Sequence, residues 1–224
     1  MDSIVISIGG SVLISDDVNV SFFKRLDKLV DKYNKKYKMY FVVGGGKTAR
    51  KYIKLGRDFG LDEKKLDEIG IQTTRLNAKL LALMINSSNK KIPCTTDEAR
   101  NLKDKVVIMG GTIPGHSTDL VGAELAYKTK SLKYIIATNV DGIYDKDPNK
   151  FNDVKKFDEI KIGDLIKKYG TKWNKAGKNV VVDGPALDMI HKKKIPTFVL
   201  NGKKLDELEK VLSSKQFNGT IIKV

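Results

Sequence analysis

Apolar positions along the chain fall into two alternating rhythms. Short runs rich in β-branched residues, IVISI from Ile4, MYFVV from Met39, KVVIMG from Lys105, YIIATN from Tyr134 and TFVL from Thr197, are almost continuously apolar. Strands covered on both faces have that character. Between them lie longer stretches with apolar residues three and four apart. Phe22, Phe23, Leu26, Leu29, Val30 and Tyr33 make one helical face, and a second helical period runs over 47–60. Leu76, Leu80, Leu81 and Met84 are the expected core stripe of a long helix over about 61–84. Such alternation predicts an α/β fold, with helices on both faces of a mostly parallel central sheet. No solenoid repeat or low-complexity linker interrupts it. One domain over 1–224 is therefore expected, and 126–133 is the only place where it could divide into parts.

The breaks in the rhythm carry the chemistry. Expected strands end in Gly9-Gly10-Ser11, Gly44-Gly45-Gly46, Gly110-Gly111-Thr112, and Thr138-Asn139 ahead of Asp141-Gly142. In an open α/β sheet, ligands bind beyond the carboxyl ends of the strands, so these turns should line one crevice. Glycine lets backbone N–H groups approach a phosphate closely, and a helix start adds partial positive charge. Gly46-Lys47-Thr48 has the ending of a P-loop, but the glycine required five positions before Gly46 is Phe41. The stretch reads instead as strand, glycine turn and helix, which is still an anion site.

Farther along, GGTIPGHSTDLVGAELA combines a loop stiffened by Pro114 with Ser117, Thr118 and Asp119 at a helix start. Hydroxyls and free amides there suit an anion, although plain N-capping would use the same residues. Asp119 repels a bare phosphate, so a functional role requires it to orient a lysine, a metal ion or the acceptor's surroundings. His116 is either a hydrogen-bonding partner for substrate or a loop residue with no role. Asp67 could accept from ribose hydroxyls, or be a solvated helix residue. Tyr144 could lay its ring beside a base. The acidic run from Asp145 fails as a calcium loop, because Lys150 stands where glycine is needed.

Composition narrows the classes further. At 224 residues and 41% hydrophobic content the chain can bury a substantial core. No apolar run approaches the ~20 residues of a membrane span. The start, MDSIVISIGG, shows no signal-peptide pattern, so a cytoplasmic protein is expected. The single cysteine, Cys94, excludes an intramolecular disulfide, and with only His116 and His191 beside it there is no zinc-type cluster. Cys94 is expected as a small core residue. The net charge of +15 attracts polyanions, yet of 42 basic residues only Arg25, Arg50, Arg57, Arg75 and Arg100 are arginine. Lysines scattered over helix faces read as a solvated surface. Neither a specific nucleic-acid partner nor a membrane is expected.

Taken in order, IGGSVL, VVGGGKTARKYI, DEIGIQTTRLNAKLL, MGGTIPGHSTDLVGAELA and ATNVDGIYDKDP resemble the amino acid kinase family, most closely its archaeal-type uridylate (UMP) kinases. The resemblance extends over nearly the whole chain. It implies a three-layer α/β/α sandwich in which 1–126 holds the acceptor UMP and 127–224 holds ATP. It implies UMP contacts at Gly45, Asp67, Thr112, Ile113, Pro114, Gly115, His116, Ser117 and Thr118. ATP contacts are implied at Gly9, Gly10, Ser11, Gly46, Arg50, Thr138, Asn139, Tyr144 and Asp147, together with Mg²⁺, a homohexamer and a place in pyrimidine nucleotide biosynthesis. One departure stands out: many members carry a lysine two positions before the first glycine pair, and here that residue is Ser7. Arg50 and Lys47 are the expected replacements for its charge, with Asp119 as a third catalytic candidate. Near the C-terminus, VVVDGPALDMI keeps Asp183 and Ala186 of a family segment, with the proline displaced to Pro185. The alternatives are a kinase of the same fold with another acceptor, such as isopentenyl phosphate, and a non-catalytic nucleotide or oxoanion binder.

Overall fold

All five expected strands form, and each sorts its side chains between two separate cores. The computed structural model describes residues 1–15, 20–172 and 181–224. Its first part contains β1 (Ser3–Ile8), α1 (Gly10–Leu13), α2 (Val20–Tyr33), β2 (Lys38–Val43), α3 (Gly46–Asp58), α4 (Glu63–Met84), α5 (Thr96–Asn101), β3 (Val106–Met109) and α6 (Thr118–Lys128). Then follow β4 (Lys133–Thr138), β5 (Ile143–Tyr144), β6 (Lys156–Phe157), β7 (Glu159–Lys161), α7 (Ile162–Tyr169), α8 (Gly184–Lys193), β8 (Thr197–Asn201), α9 (Leu205–Leu212) and β9 (Gly219–Lys223). Seven strands make one sheet in the order β3-β2-β1-β4-β8-β9-β7, parallel except where β9 runs against β8. β5 and β6 form a small antiparallel pair beside it.

Alternate residues leave each strand on opposite faces. Ile4, Ile6, Ile8, Met39, Phe41, Val43, Ile135 and Ala137 join one buried cluster, with Leu26 and Val30 of α2 and Leu208 and Leu212 of α9. Val5, Tyr40, Val42, Val107, Tyr134, Ile136 and Val199 join the other, with Val121 and Leu125 of α6 and Leu187 and Ile190 of α8. The result is the expected three-layer α/β/α sandwich around a mostly parallel sheet.

Strand order reverses at β1, which lies between β2 and β4. A crevice opens at such a switch point, beyond the carboxyl ends of the strands. Register sets its floor: Ile8 stands level with both Val43 and Ala137, so Gly9 and Gly44 leave the sheet together beside Thr138, the last residue of β4. Strands from both 1–126 and 127–224 contribute to the one sheet.

Two expectations are corrected. In α4, Leu81 is buried at 1% exposure, but Leu76, Leu80 and Met84 are exposed at 65%, 37% and 38%. The inward face uses Leu66, Ile71, Thr74, Asn77, Ala78 and Leu81. Two of those are polar because the helix packs against loop backbone as well as against side chains, and a count of apolar positions misreads the face. Cys94 is exposed rather than in the core. It lies between α4 and α5 in a loop held by its backbone: its N–H donates to Glu98 Oε2 at 2.8 Å.

Candidate active site

The crevice begins with glycines pressed backbone to backbone. A Cβ on Gly10 would lie 2.3 Å from Gly46 N and 2.4 Å from Gly44 O. Gly46 has φ +64°, and a Cβ there would come within 2.5 Å of the Gly10 carbonyl carbon. The turns after β1 and β2 therefore touch with no room for a side chain. Directly from the second turn α3 begins, capped by Gly45.

On the far side of β2, the turn after β3 rests on α4. Thr74 Oγ1 accepts from the Gly111 N–H at 2.6 Å, and a Cβ on Gly110 would lie 2.7 Å from that oxygen. Arg75 donates to Gly111 O through Nε at 3.1 Å and to Thr112 O through Nη2 at 3.0 Å. Asp67 Oδ2 accepts from the Gly115 N–H at 2.8 Å, closing loop 112–117 back onto α4. Ser117 then caps α6 by accepting from Leu120 N–H. Among the described residues, three buried side-chain polar atoms lack a protein partner, and two belong to this loop: Thr112 Oγ1 and His116 Nδ1. Buried polar atoms are normally satisfied, and of these two residues His116 lines the cavity, where a ligand with hydrogen-bonding groups could satisfy it.

These turns wall a cavity of about 730 Å³, within the range of small-molecule sites. The N-termini of α3, α6 and α8 all reach it, through Gly46, Thr118 and Gly184. Each contributes partial positive charge, which suits an anionic ligand. Of the anticipated positions the wall includes Gly9, Gly10, Ser11, Gly45, Gly46, Arg50, Asp67, Ile113, His116, Ser117, Thr118, Asp119, Thr138, Asn139 and Asp147. Thr112, Pro114, Gly115, Tyr144 and Lys47 are not among the lining residues, and Lys47 is exposed on the first turn of α3. Lys150, Lys168 and Tyr169 line the cavity without having been singled out, and Lys168 Nζ also donates to Asp145 O at 2.5 Å.

The charge at the base of the crevice is unusual for a phosphate site. Ser7, the residue at the lysine position, is buried on β1 and donates its hydroxyl to Asp119 Oδ1 at 2.9 Å. Asp119 lies in the first turn of α6 and Asp183 caps α8, accepting from Ala186 N–H at 3.0 Å. Burial first, then the charge of Asp183, raise Asp119 to about 7; the Ser7 hydrogen bond opposes the shift. Burial likewise raises Asp183, opposed by hydrogen bonds from Ser117 and the Ala186 amide. Beside them, Tyr134 donates its hydroxyl to the Asp119 carbonyl at 2.8 Å, and burial raises it well above its ordinary value. Among the described residues, no cation partners either carboxylate to hold both ionised. Asp183 was legible as a matched residue, but its partnership with Asp119 joins positions on separate helices, and no local pattern announces it.

Comparison with known proteins places this geometry among relatives. Residues 2–201 match the amino acid kinase family. A uridylate kinase of Thermoplasma volcanium is 41% identical over 216 residues, covering 96% of this chain and 94% of that protein. A uridylate kinase of Methanocaldococcus jannaschii is 41% identical over 229 residues, covering 98% of each. The crystal structure of uridylate kinase from Archaeoglobus fulgidus superposes with a TM-score of 0.85 at 38% identity, covering 98% of this chain and 99% of that one.

Proposed function

The chain belongs to the amino acid kinase family, and on that premise we propose that it is a uridylate kinase. It transfers the γ-phosphoryl group of ATP to the phosphate of UMP, giving UDP and ADP. The observation that carries the acceptor is loop 112–117: anchored by Asp67 and Arg75, it faces the glycine turns across one cavity and brings to that wall His116, whose buried Nδ1 has no protein partner.

Phosphoryl transfer demands in-line positioning of two nucleotides and positive charge round the equatorial oxygens. In this reading Gly9, Gly10, Ser11 and Gly46 cradle the donor phosphates with backbone amides and the start of α3. Arg50 supplies the mobile cation, with Lys47 near it on the same helix. Thr138, Asn139 and Asp147 hold the rest of ATP, with Lys168 and Tyr169 beside them and Tyr144 behind the wall. Gly45, Asp67 and the run from Thr112 to Thr118 hold UMP; the Asp67 carboxylate retains acceptor capacity for ribose hydroxyls after binding Gly115. The N-terminal part thus carries the acceptor and the C-terminal part the nucleoside of ATP.

Mg²⁺ is the companion of ATP in this proposal. It is bound by one or two carboxylates together with substrate phosphates, a demand that Asp119 and Asp183 on the cavity wall fit. Among the described residues no group of three or more His, Cys, Asp or Glu could hold a metal unaided. When bound, it neutralises phosphate charge as the bond to the γ-phosphoryl group loosens.

Self-association is supported by an exposed apolar surface. Tyr52, Leu55 and Phe59 of α3 and its end, and Leu76, Leu80 and Leu83 of the adjoining α4, are all exposed. Surfaces of this kind mark protein contacts, and a homohexamer is the assembly we propose. No described helix is long and apolar enough to cross a membrane, in keeping with work in the cytoplasm on pyrimidine nucleotides.

Steady-state ADP release with UMP, CMP, dUMP and isopentenyl phosphate offered side by side tests the reading. A clear preference for UMP is expected. Equal rates with all acceptors, or ADP release independent of any acceptor, would remove it.

A further inference from the structure

One turn of α4 grips both halves of the crevice. Asn77, buried, donates through Nδ2 to Gly44 O at 2.9 Å and Gly45 O at 3.3 Å. Thr74, three residues earlier on the same helix face, accepts from the Gly111 N–H at 2.6 Å and donates its hydroxyl to Ile71 O at 2.7 Å. Arg75 between them holds the carbonyls of Gly111 and Thr112.

The bonds from Asn77 have a directional consequence. In a trans peptide the carbonyl and the following N–H point in opposite directions. Drawing the carbonyls of Gly44 and Gly45 toward α4 turns the N–H groups of Gly45 and Gly46 away from it. The cavity wall includes both glycines but not Asn77, and because Gly45 caps α3 and Gly46 opens it, their amides are free of helical partners and available to a ligand there. Asn77 therefore aims backbone dipoles at the phosphates without touching them. Thr74 and Arg75 do the equivalent for the acceptor loop, fixing its height above the sheet.

We propose that the segment Thr74–Asn77 is the positioning element of phosphoryl transfer: Asn77 orients the amides of the second glycine turn, Gly45 on the acceptor side and Gly46 on the donor side, and Thr74 with Arg75 seats the acceptor loop. The inference rests on the uridylate kinase reading. A helical turn is a short, stiff spacer, so anchoring both loops to it fixes the separation of the two phosphates. Reacting atoms must come within ~3–3.5 Å, and an error near 1 Å can lower the rate about 100-fold.

Kinetics of three near-isosteric variants test this. Asn77→Asp replaces the amide donor with a carboxylate facing two carbonyls. Its kcat is expected to fall at least ~10-fold, with the KM for UMP changing less than about threefold, as for an interaction expressed in the transition state. Thr74→Val removes the hydroxyl, and is expected to raise the KM for UMP roughly 10-fold while the KM for ATP moves less than about twofold. Thr74→Ser restores the hydroxyl and should return the UMP KM to near wild type.

A merely structural role would lower thermal stability in all three and leave this division absent. Unchanged kcat in folded Asn77→Asp, or equal KM changes for both nucleotides in Thr74→Val, would overturn the proposal. Should Asn77→Asp fail to fold, the Thr74 pair decides alone. A wild-type protein without UMP-dependent ADP release sinks the functional reading itself, whereas normal wild-type kinetics with silent variants sinks only the positioning.

Discussion

The crevice has two walls built on opposite principles. On one, Gly10, Gly44, Gly45 and Gly46 meet backbone to backbone, and the functional groups are peptide amides fixed by packing. On the other, Ser7, Asp119 and Asp183 meet side chain to side chain, and what they present depends on where one proton resides. The first wall is determined by shape, because any added atom collides. The second is determined by electrostatics, because its groups fit sterically whether charged or neutral. Preorganised dipoles need no rearrangement as charge develops, whereas titrating carboxylates respond to whatever ion or phosphate arrives.

If shape governs the glycine wall, the smallest possible side chain should do the most damage. Gly10→Ala places a methyl 2.3 Å from Gly46 N, and the obstacle is backbone that no rotamer change can clear. Overpacking of this kind destabilises by ~1–3 kcal/mol or more. The turns must also separate, so kcat should drop by a factor of about 1,000 or the protein should fail to accumulate. Kinetics paired with thermal unfolding measure both, and a well-folded, active Gly10→Ala protein would show that the turns are not in register during catalysis.

Arg50 lines the same cavity as a cation on the first turns of α3, beside the glycine wall. Its removal should act on the barrier alone. Arg50→Ala is expected to lose ~2.7–4 kcal/mol of transition-state stabilisation, about 100- to 1,000-fold in kcat, with unfolding behaviour unchanged. Turnover near wild type takes Arg50 out of the mechanism and shifts attention to Lys150 and Lys168 on the cavity wall.

On the carboxylate wall the expected sign reverses between stability and activity. Unfolded, Asp119 titrates near its ordinary 3.8; folded, it is raised to about 7. Between those pH values the folded chain holds a proton that the unfolded chain does not. The associated stability is complete below about pH 4 and is lost as pH rises through 7. For the nucleotide-free protein the loss is on the order of 4 kcal/mol, and it belongs to the pair rather than to Asp119 alone, because Asp183 titrates together with it. Asp119→Asn should flatten that slope and unfold at higher temperature than wild type at pH 8, while turning over more slowly. Melting curves from pH 4 to 8 decide it; parallel curves would mean that the carboxylate is not strained in the folded state.

The same division explains what could be read from the amino-acid order. Strands such as Ile4–Ile8 and Met39–Val43 are legible because burial on both faces leaves a continuous apolar run. The glycine wall is legible because a residue chosen for lacking a side chain stands out wherever it occurs. The α4 stripe holds only at Leu81, since Thr74 and Asn77 are buried to serve loop backbone while Leu76, Leu80 and Met84 remain outside. β9 at the C-terminus pairs with strands at the far edge of the sheet, and behind the Asn218-Gly219 dipeptide its GTIIK has only Ile221 and Ile222 as consecutive apolar residues, too short a run to read as a buried strand. The carboxylate pair was least visible of all. Ser7, Asp119 and Asp183 lie on β1, α6 and α8, and only the completed sheet brings them together.

The mildest test exchanges one wall's principle for the other's. Ser7→Lys introduces an ammonium where many family members have one, at a position that already lines the cavity. Facing Asp119 and Asp183, the new cation should return both carboxylates toward their ordinary range, since an opposite charge within a few ångströms favours the ionised form. The stability slope between pH 4 and 7 should shrink, as in Asp119→Asn, but with activity kept. Turnover is expected to change by less than about tenfold, because the lysine would neutralise the pair and approach the transferring phosphoryl group at once, two effects that share one charge. A large gain would mean that the wild-type site lacks a cation and is limited by it. Complete loss, in a folded protein, would mean that the Ser7 hydroxyl and the proton shared at its partner are themselves part of the working geometry, and that the carboxylate wall is as rigidly specified as the glycine wall opposite.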